Sequence, residues 1–135
     1  AGATVAVTGA SGFLGRHLVA RLRSCQATVL PLDRSHGVDL LDPTSLSAAL
    51  RNSSPTHVFH LAASLHRGGT RQEACQNFSV NVNGTHNLLA MLSELNLHPT
   101  CVLAGTADVY GSGPAPFAES QALSPISSYA ASKLA

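Results

Sequence analysis

The chain is 135 residues long, 44% hydrophobic and 11% charged, with a formal net charge of +1. That balance suits one well-buried globular domain and excludes a disordered acidic or basic tail. The eight Lys and Arg residues are scattered rather than lined up on one face, so nucleic acid is not an expected partner. No apolar run reaches the roughly 18 residues of a membrane helix, and the N-terminus lacks the cationic start and cleavage site of a signal peptide. Three cysteines, Cys25, Cys75 and Cys101, are odd in number and form no C-x-x-C pair, which reads as buried, reduced thiols and a cytoplasmic setting.

In chain order, Ala3 to Thr8 reads as a short apolar strand. The glycines Gly9, Gly12 and Gly15 follow, and then Phe13, Leu14, Leu18, Val19 and Leu22 recur at helical spacing. Ala27 to Leu32 reads as a second strand, and a short third strand is expected to end near Leu40. Asp42-Pro43 supplies an N-cap and a first-turn proline for a helix from Thr44 to about Asn52. Thr56 to Ala62 is a nearly continuous apolar run, suited to a parallel strand covered on both faces. From Arg71 to Leu95 the pattern is one long helix with Phe78, Val82, Leu88, Leu89, Leu92 and Leu95 inward and Gly84 as a weak point. Pro99 ends it. Cys101 to Gly105 is the fifth strand, a Pro/Gly/Ser-rich loop fills 111–125, and a last helix opens at Ser127.

Strand and helix in alternation mark an α/β fold, and right-handed crossovers make a doubly wound parallel sheet of the Rossmann type the expected architecture. Its ligand crevice lies at the carboxyl ends of the strands. The turn after the first strand, TGASGFLG, lets the backbone approach a pyrophosphate while the following helix presents its first amides. Its G-x-x-G-x-x-G spacing differs by one residue from the G-x-G-x-x-G fingerprint. Asp33, at the end of the second strand, is placed to accept hydrogen bonds from an adenosine ribose and to repel a 2′-phosphate. NAD is therefore favoured over NADP, although Arg34 beside it could pair with that phosphate and leaves NADP open.

Residues 127–133 read SSYAASK, and Lys133 is the only lysine in the chain. Tyr129 and Lys133 stand four apart on the last helix, hence on one face. An ammonium and a cationic nicotinamide ring nearby would both favour the phenolate form of the tyrosine, making it an acid/base. Seven histidines show no metal-ligand spacing. His66 and Arg67, in the loop after the fourth strand, could approach a substrate phosphate, but solvent exposure is the favoured expectation.

Together, Thr8-Gly9-x-x-Gly12-x-x-Gly15, DLLD at 39–42, HLAA at 60–63, NVNGT at 81–85, GTADVYG at 105–111 and Tyr129-x-x-x-Lys133 resemble the extended short-chain dehydrogenases/reductases, in particular the NAD-dependent epimerase/dehydratase group acting on nucleotide sugars. The resemblance runs the length of the chain. It implies that Gly9, Gly12 and Gly15 surround the pyrophosphate with Phe13 and Leu14 giving amides, that Asp33 holds the ribose, and that Asp39 and Leu40 border the adenine. Leu61, Ala62 and Ala63 would line the cofactor, Asn81 would steady the site, and Thr106, Tyr129 and Lys133 would be the catalytic set, with Tyr129 and Lys133 also contacting the cofactor.

The implied reaction is reversible hydride transfer on a nucleotide sugar, with Tyr129 taking the hydroxyl proton and Thr106 bonding the same oxygen. Dehydratases of the group carry acidic residues after the threonine, where this chain has Ala107 and Asp108. Asp108 then stands either as a shortened base or as a brace for its loop. Family members continue past the Tyr-Lys helix, so residues 1–135 are expected to be the NAD(P)-binding domain of a longer enzyme, truncated before its last strand and substrate region, binding dinucleotide weakly and turning over little or nothing alone. The expected partner is a small-molecule nucleotide sugar, with a homodimer allowed. The alternatives are an NAD(P)H-dependent ketoreductase or hydroxysteroid-type dehydrogenase and, in another class, a non-catalytic dinucleotide sensor or scaffold.

Overall fold

The computed structural model describes residues 2–67 and 69–135. Four strands, β1 (Thr4–Thr8), β2 (Thr28–Leu32), β3 (His57–His60) and β4 (Thr100–Leu103), form one parallel sheet in the order β2-β1-β3-β4. Val5 pairs with Val29 on one side and His57 on the other, and His57 pairs in turn with Thr100. The helices are α1 (Phe13–Ser24), α2 (Pro43–Leu50), α3 (Arg71–Phe78), α4 (Gly84–Glu94) and α5 (Ser128–Leu134). Contacts group the chain into two compact units, one from 2–62 with 83–104 and the other from 63–82 with 105–135.

The first unit is the sheet and its coat. Alternation along β1 sends Val5 and Val7 to one face, where they pack with Ala10 and Val19 of the α1 region, and Ala6 to the other. There Leu32, Val58, Leu46 and Leu50 of α2, and Leu88, Met91 and Leu92 of α4 form the larger cluster. Apolar cover on both faces is what a doubly wound sheet requires. Asp42 caps α2 by accepting the Thr44 amide at 2.9 Å and the Ser45 amide at 3.3 Å, with Pro43 in the first turn.

Three expectations need correction. No third strand reaches Leu40: Gly37, at φ 75°, turns the chain. The Asp39 amide then donates to Ser45 Oγ at 3.0 Å, the Leu41 amide to Asp39 Oδ1 at 2.9 Å, and the Leu40 carbonyl accepts from Asn87 Nδ2 at 2.9 Å. Side chains thus take the backbone groups a ladder would need, while Val38 and Leu40 still enter the core. Second, the helix predicted over 71–95 is two helices joined by a π-helical segment, Ser79–Asn83. Phe78 and Leu89, read as inward, are exposed, while Asn77, Asn81, Gly84 and Leu88 are buried. Gly84 is a close approach rather than a mere weak point, because a Cβ there would lie 3.2 Å from Leu40 Cβ. Third, the cysteines are free, but Cys25 and Cys75 are exposed and Cys101 only part-buried. Among the described residues no helix is long and apolar enough to cross a membrane.

The second unit holds α3, α5 and the turns Ala107–Tyr110 and 111–127. Thr70 and Glu73 form a reciprocal capping box that starts α3, and Ser127 starts α5 by accepting the Ala130 amide at 3.0 Å. Its buried positions are few and mostly polar: Asn77, Asn81, Ser132 and Ala130.

Candidate functional site

In the first unit, β1 ends in Thr8 and the chain turns at Gly9 with φ 64°. A Cβ on Gly9 would come within 2.9 Å of the Ala62 amide nitrogen, and one on Gly15 would strike the Gly9 carbonyl oxygen. Those two glycines are dictated by close backbone approach. Gly12 donates its amide to the Gly9 carbonyl at 3.0 Å and begins α1 with no side-chain cap. The leading amides of α1, at Phe13 and Leu14, thus have no capping side chain, and both side chains are exposed. An uncapped helix start behind a glycine turn is a fitting cradle for a diphosphate.

Asp33 is joined to that turn directly. Its Oδ2 accepts the Ser11 amide at 2.7 Å, while Oδ1 accepts from the Ser35 hydroxyl at 2.7 Å and the His36 amide at 3.2 Å and lies 2.7 Å from His36 Nδ1. Burial alone would push this carboxyl up, but hydrogen bonds from Ser35, His36 and Ser11 outweigh it and hold Asp33 well below the usual carboxylate range. Arg34 is exposed beside it, on a 3₁₀ turn formed by Arg34–His36. Asp39 is exposed and Leu40 buried.

Leu61 and Ala62 are drawn to the same turn by a device the sequence reading passed over. Thr8 Oγ1 accepts both of their amides, at 3.1 and 3.0 Å. Its own hydrogen is therefore directed to His60 Nδ1 at 2.7 Å, which leaves Nε2 as the protonated nitrogen facing Thr85 Oγ1 at 2.8 Å. His60 is only 2% exposed. The clue available in the sequence was a histidine ending an apolar strand, the place where a buried ring requires partners on both nitrogens.

In the second unit, polar side chains do the positioning. Asn81 accepts the Ser64 amide at 2.7 Å and donates to the Ser64 carbonyl at 2.9 Å and to Ser132 Oγ at 2.9 Å. Asn77 accepts from Ser64 Oγ at 3.0 Å and the His66 amide at 3.1 Å, and donates to the His66 carbonyl at 2.8 Å and Ser128 Oγ at 3.2 Å. The two asparagines, one turn apart, tie the 64–66 loop to α5. Asn77 was missed; its signal is the polar i, i+4 pair on a helix otherwise read for its apolar face. Ala63 is exposed at the start of this loop.

Tyr129 and Lys133 occupy successive turns of α5. Both are part-buried, and burial draws the Lys133 ammonium below its ordinary pKa. Thr106 accepts the Asp108 amide at 3.2 Å and so caps the Ala107–Tyr110 turn, which packs on α5; its hydroxyl hydrogen remains available to donate. Arg67, expected in solvent, has 65% of its side chain exposed yet is engaged. It pairs with Asp108 Oδ2 at 3.1 Å and sits 5.8 Å over the Tyr129 ring, within cation-π range.

A parallel, doubly wound sheet whose first βα turn is a glycine cradle with an acidic partner after the second strand defines a dinucleotide-binding α/β protein. The NAD dependent epimerase/dehydratase family matches residues 5–135, and the chain belongs to it. It is 35% identical over 132 residues to a GDP-6-deoxy-D-mannose reductase of Pseudomonas aeruginosa, covering 96% of this chain and 43% of the relative. To a UDP-glucuronate 4-epimerase of Arabidopsis thaliana it is 31% identical over 159 residues, covering 99% and 36%. Among solved structures it resembles the UDP-glucose 4-epimerase of Thermus thermophilus in complex with NAD (TM-score 0.86, 33% identity, 96% of this chain and 47% of that one). It also resembles RMD from Pseudomonas aeruginosa complexed with NADPH (TM-score 0.84, 32% identity, 98% and 46%). The chain thus spans less than half the length of these relatives.

Proposed function

We propose that this chain is the NAD(P)-binding and proton-transferring part of an enzyme that epimerises or reduces a nucleotide sugar. The observation that carries the reading is Tyr129 with a part-buried Lys133 one turn along α5, in a chain whose first βα turn is an uncapped glycine cradle. Gly12, Phe13 and Leu14 would give amides to the diphosphate, and Asp33 would take the adenosine ribose. Asp33 stays ionised through the physiological range, which repels a 2′-phosphate and favours NAD over NADP. When bound, the nicotinamide supplies the hydride acceptor or donor. Tyr129 exchanges the proton at the substrate oxygen, Thr106 donates a hydrogen bond to that oxygen, and Lys133 gives the cationic environment in which the tyrosine can lose its proton.

Asp108 narrows the reaction. Dehydratases of the group carry acidic residues after the threonine, and here the first of those positions is Ala107, leaving only Asp108, which is paired with Arg67. That favours epimerase or reductase chemistry over dehydration. A cytoplasmic setting belongs to the same reading, supported by free thiols at Cys25, Cys75 and Cys101. The test is to incubate the full-length protein with nucleotide hexoses and nucleotide 4-ketohexoses plus NAD(H) or NADP(H), and to follow products by NMR. Epimerised or reduced sugar is expected. Cofactor binding without conversion of any nucleotide sugar would favour the sensor alternative.

A further inference from the structure

Arg67, Asp108, Gly111, Ile126 and Ser127 line an open pocket of about 240 Å³ within the second unit. Its charges balance: one guanidinium and one carboxylate, joined at 3.1 Å, with Arg67 over the ring of Tyr129. Only one Asp108 oxygen faces Arg67, and Arg67 gives one of its five N–H donors to the pair, so both partners keep capacity to bond a further group. Ile126 is 72% exposed and Ser127 is already committed to capping Ala130.

Resting on the function proposed above, we propose that this pocket selects an uncharged sugar ring, a hexose or 6-deoxyhexose, and rejects a hexuronate. A neutral pyranose offers what the pocket lacks: hydroxyls that donate to the free Asp108 oxygen and accept from Arg67, and a C–H face to lie on Ile126. A uronate carboxylate would enter a pocket whose single cation is already neutralised and would meet Asp108 as a like charge. The exposed Arg67–Asp108 pair is weak enough to open, but opening it for a uronate leaves Asp108 uncompensated beside the newcomer. Arg67 and Asp108 are thus specificity-determining residues, set beside the tyrosine that carries the chemistry.

The experiment compares kcat/KM of the full-length protein for three substrates carrying the same nucleotide: a hexose, a 6-deoxyhexose and a hexuronate. The neutral sugars are expected to lead the uronate by about 100-fold, the scale of an uncompensated like-charge contact. Asp108→Asn, which leaves Arg67 without its counter-charge, should narrow that gap about tenfold, and Arg67→Met should raise KM for the neutral sugar about tenfold with cofactor affinity unchanged. Preference for the uronate, or an unaltered ratio in a folded Asp108→Asn protein, overturns the inference alone; the wild-type ratio decides it if that variant does not fold. Turnover of none of the three, whether offered as the 4-hydroxy or the 4-keto sugar, removes the nucleotide-sugar reading and this inference with it.

Discussion

The two units are stabilised by different means. Of the buried hydrophobic side chains among the described residues, Ala130 alone lies in the second unit; the rest, from Val5 to Leu92, lie in the first. There the sheet and helices exclude water with aliphatic side chains, and the turn at Gly9 rides on that rigid base. In the second unit Asn77, Asn81 and Ser132 are buried, and each hydrogen-bonds a loop or α5. Burial of apolar area is tolerant of detail, whereas buried amides are directional and costly when a partner is lost. The difference teaches that the glycine turn after β1 rests on packing, and α5 rests on hydrogen-bond geometry.

The sharpest way to break this contrast is Leu46→Ala. Leu46 is fully buried, and its truncation should cost about 3 kcal/mol and lower hydrogen-exchange protection throughout the sheet. Gly15→Ala, whose Cβ would meet the Gly9 carbonyl, should cost about 2 kcal/mol and abolish NADH binding in a calorimetric titration. In the other unit, Asn77→Ala strands the His66 amide and carbonyl and should cost about 2 kcal/mol, with protection lost in α3 and α5 and kept in β1 and β3. Uniform loss of protection would mean that the contrast is false.

The smallest effect expected is Asp33→Asn, about 1 kcal/mol at neutral pH. Because the folded-state pKa of Asp33 lies below its unfolded value of about 4, its contribution is complete above pH 4 and disappears as pH falls through the folded value. Thermal midpoints of Asp33→Asn and wild type should therefore draw progressively together as pH falls below about 4. A gap that stays constant would show that the hydrogen bonds to Ser11, Ser35 and His36 do not favour the charged carboxylate.

The same contrast explains what was legible in the sequence. Strands β1 to β3 and helices α1, α2 and α4 follow apolar periodicity, and the sheet they form is the one that periodicity implies. The segment near Leu40 has the apolar residues of a strand but loses its backbone donors and acceptors to Ser45, Asp39 and Asn87, which no periodicity records. In α3 the buried position is the polar Asn77 while Phe78 is exposed, so a reading that sends apolar residues inward picks the wrong face there. Residues such as Gly9, Asp33 and Tyr129 stand out by type and spacing. Arg67 does not, because its role depends on Asp108, 41 positions away.

The central claim is that Tyr129 moves the proton while the cradle holds the cofactor, and Tyr129→Phe in the full-length protein tests it most directly. The account predicts that turnover of the nucleotide sugar falls by about 10³-fold with the affinity for NADH within a factor of about three of wild type. Retained turnover would contradict it.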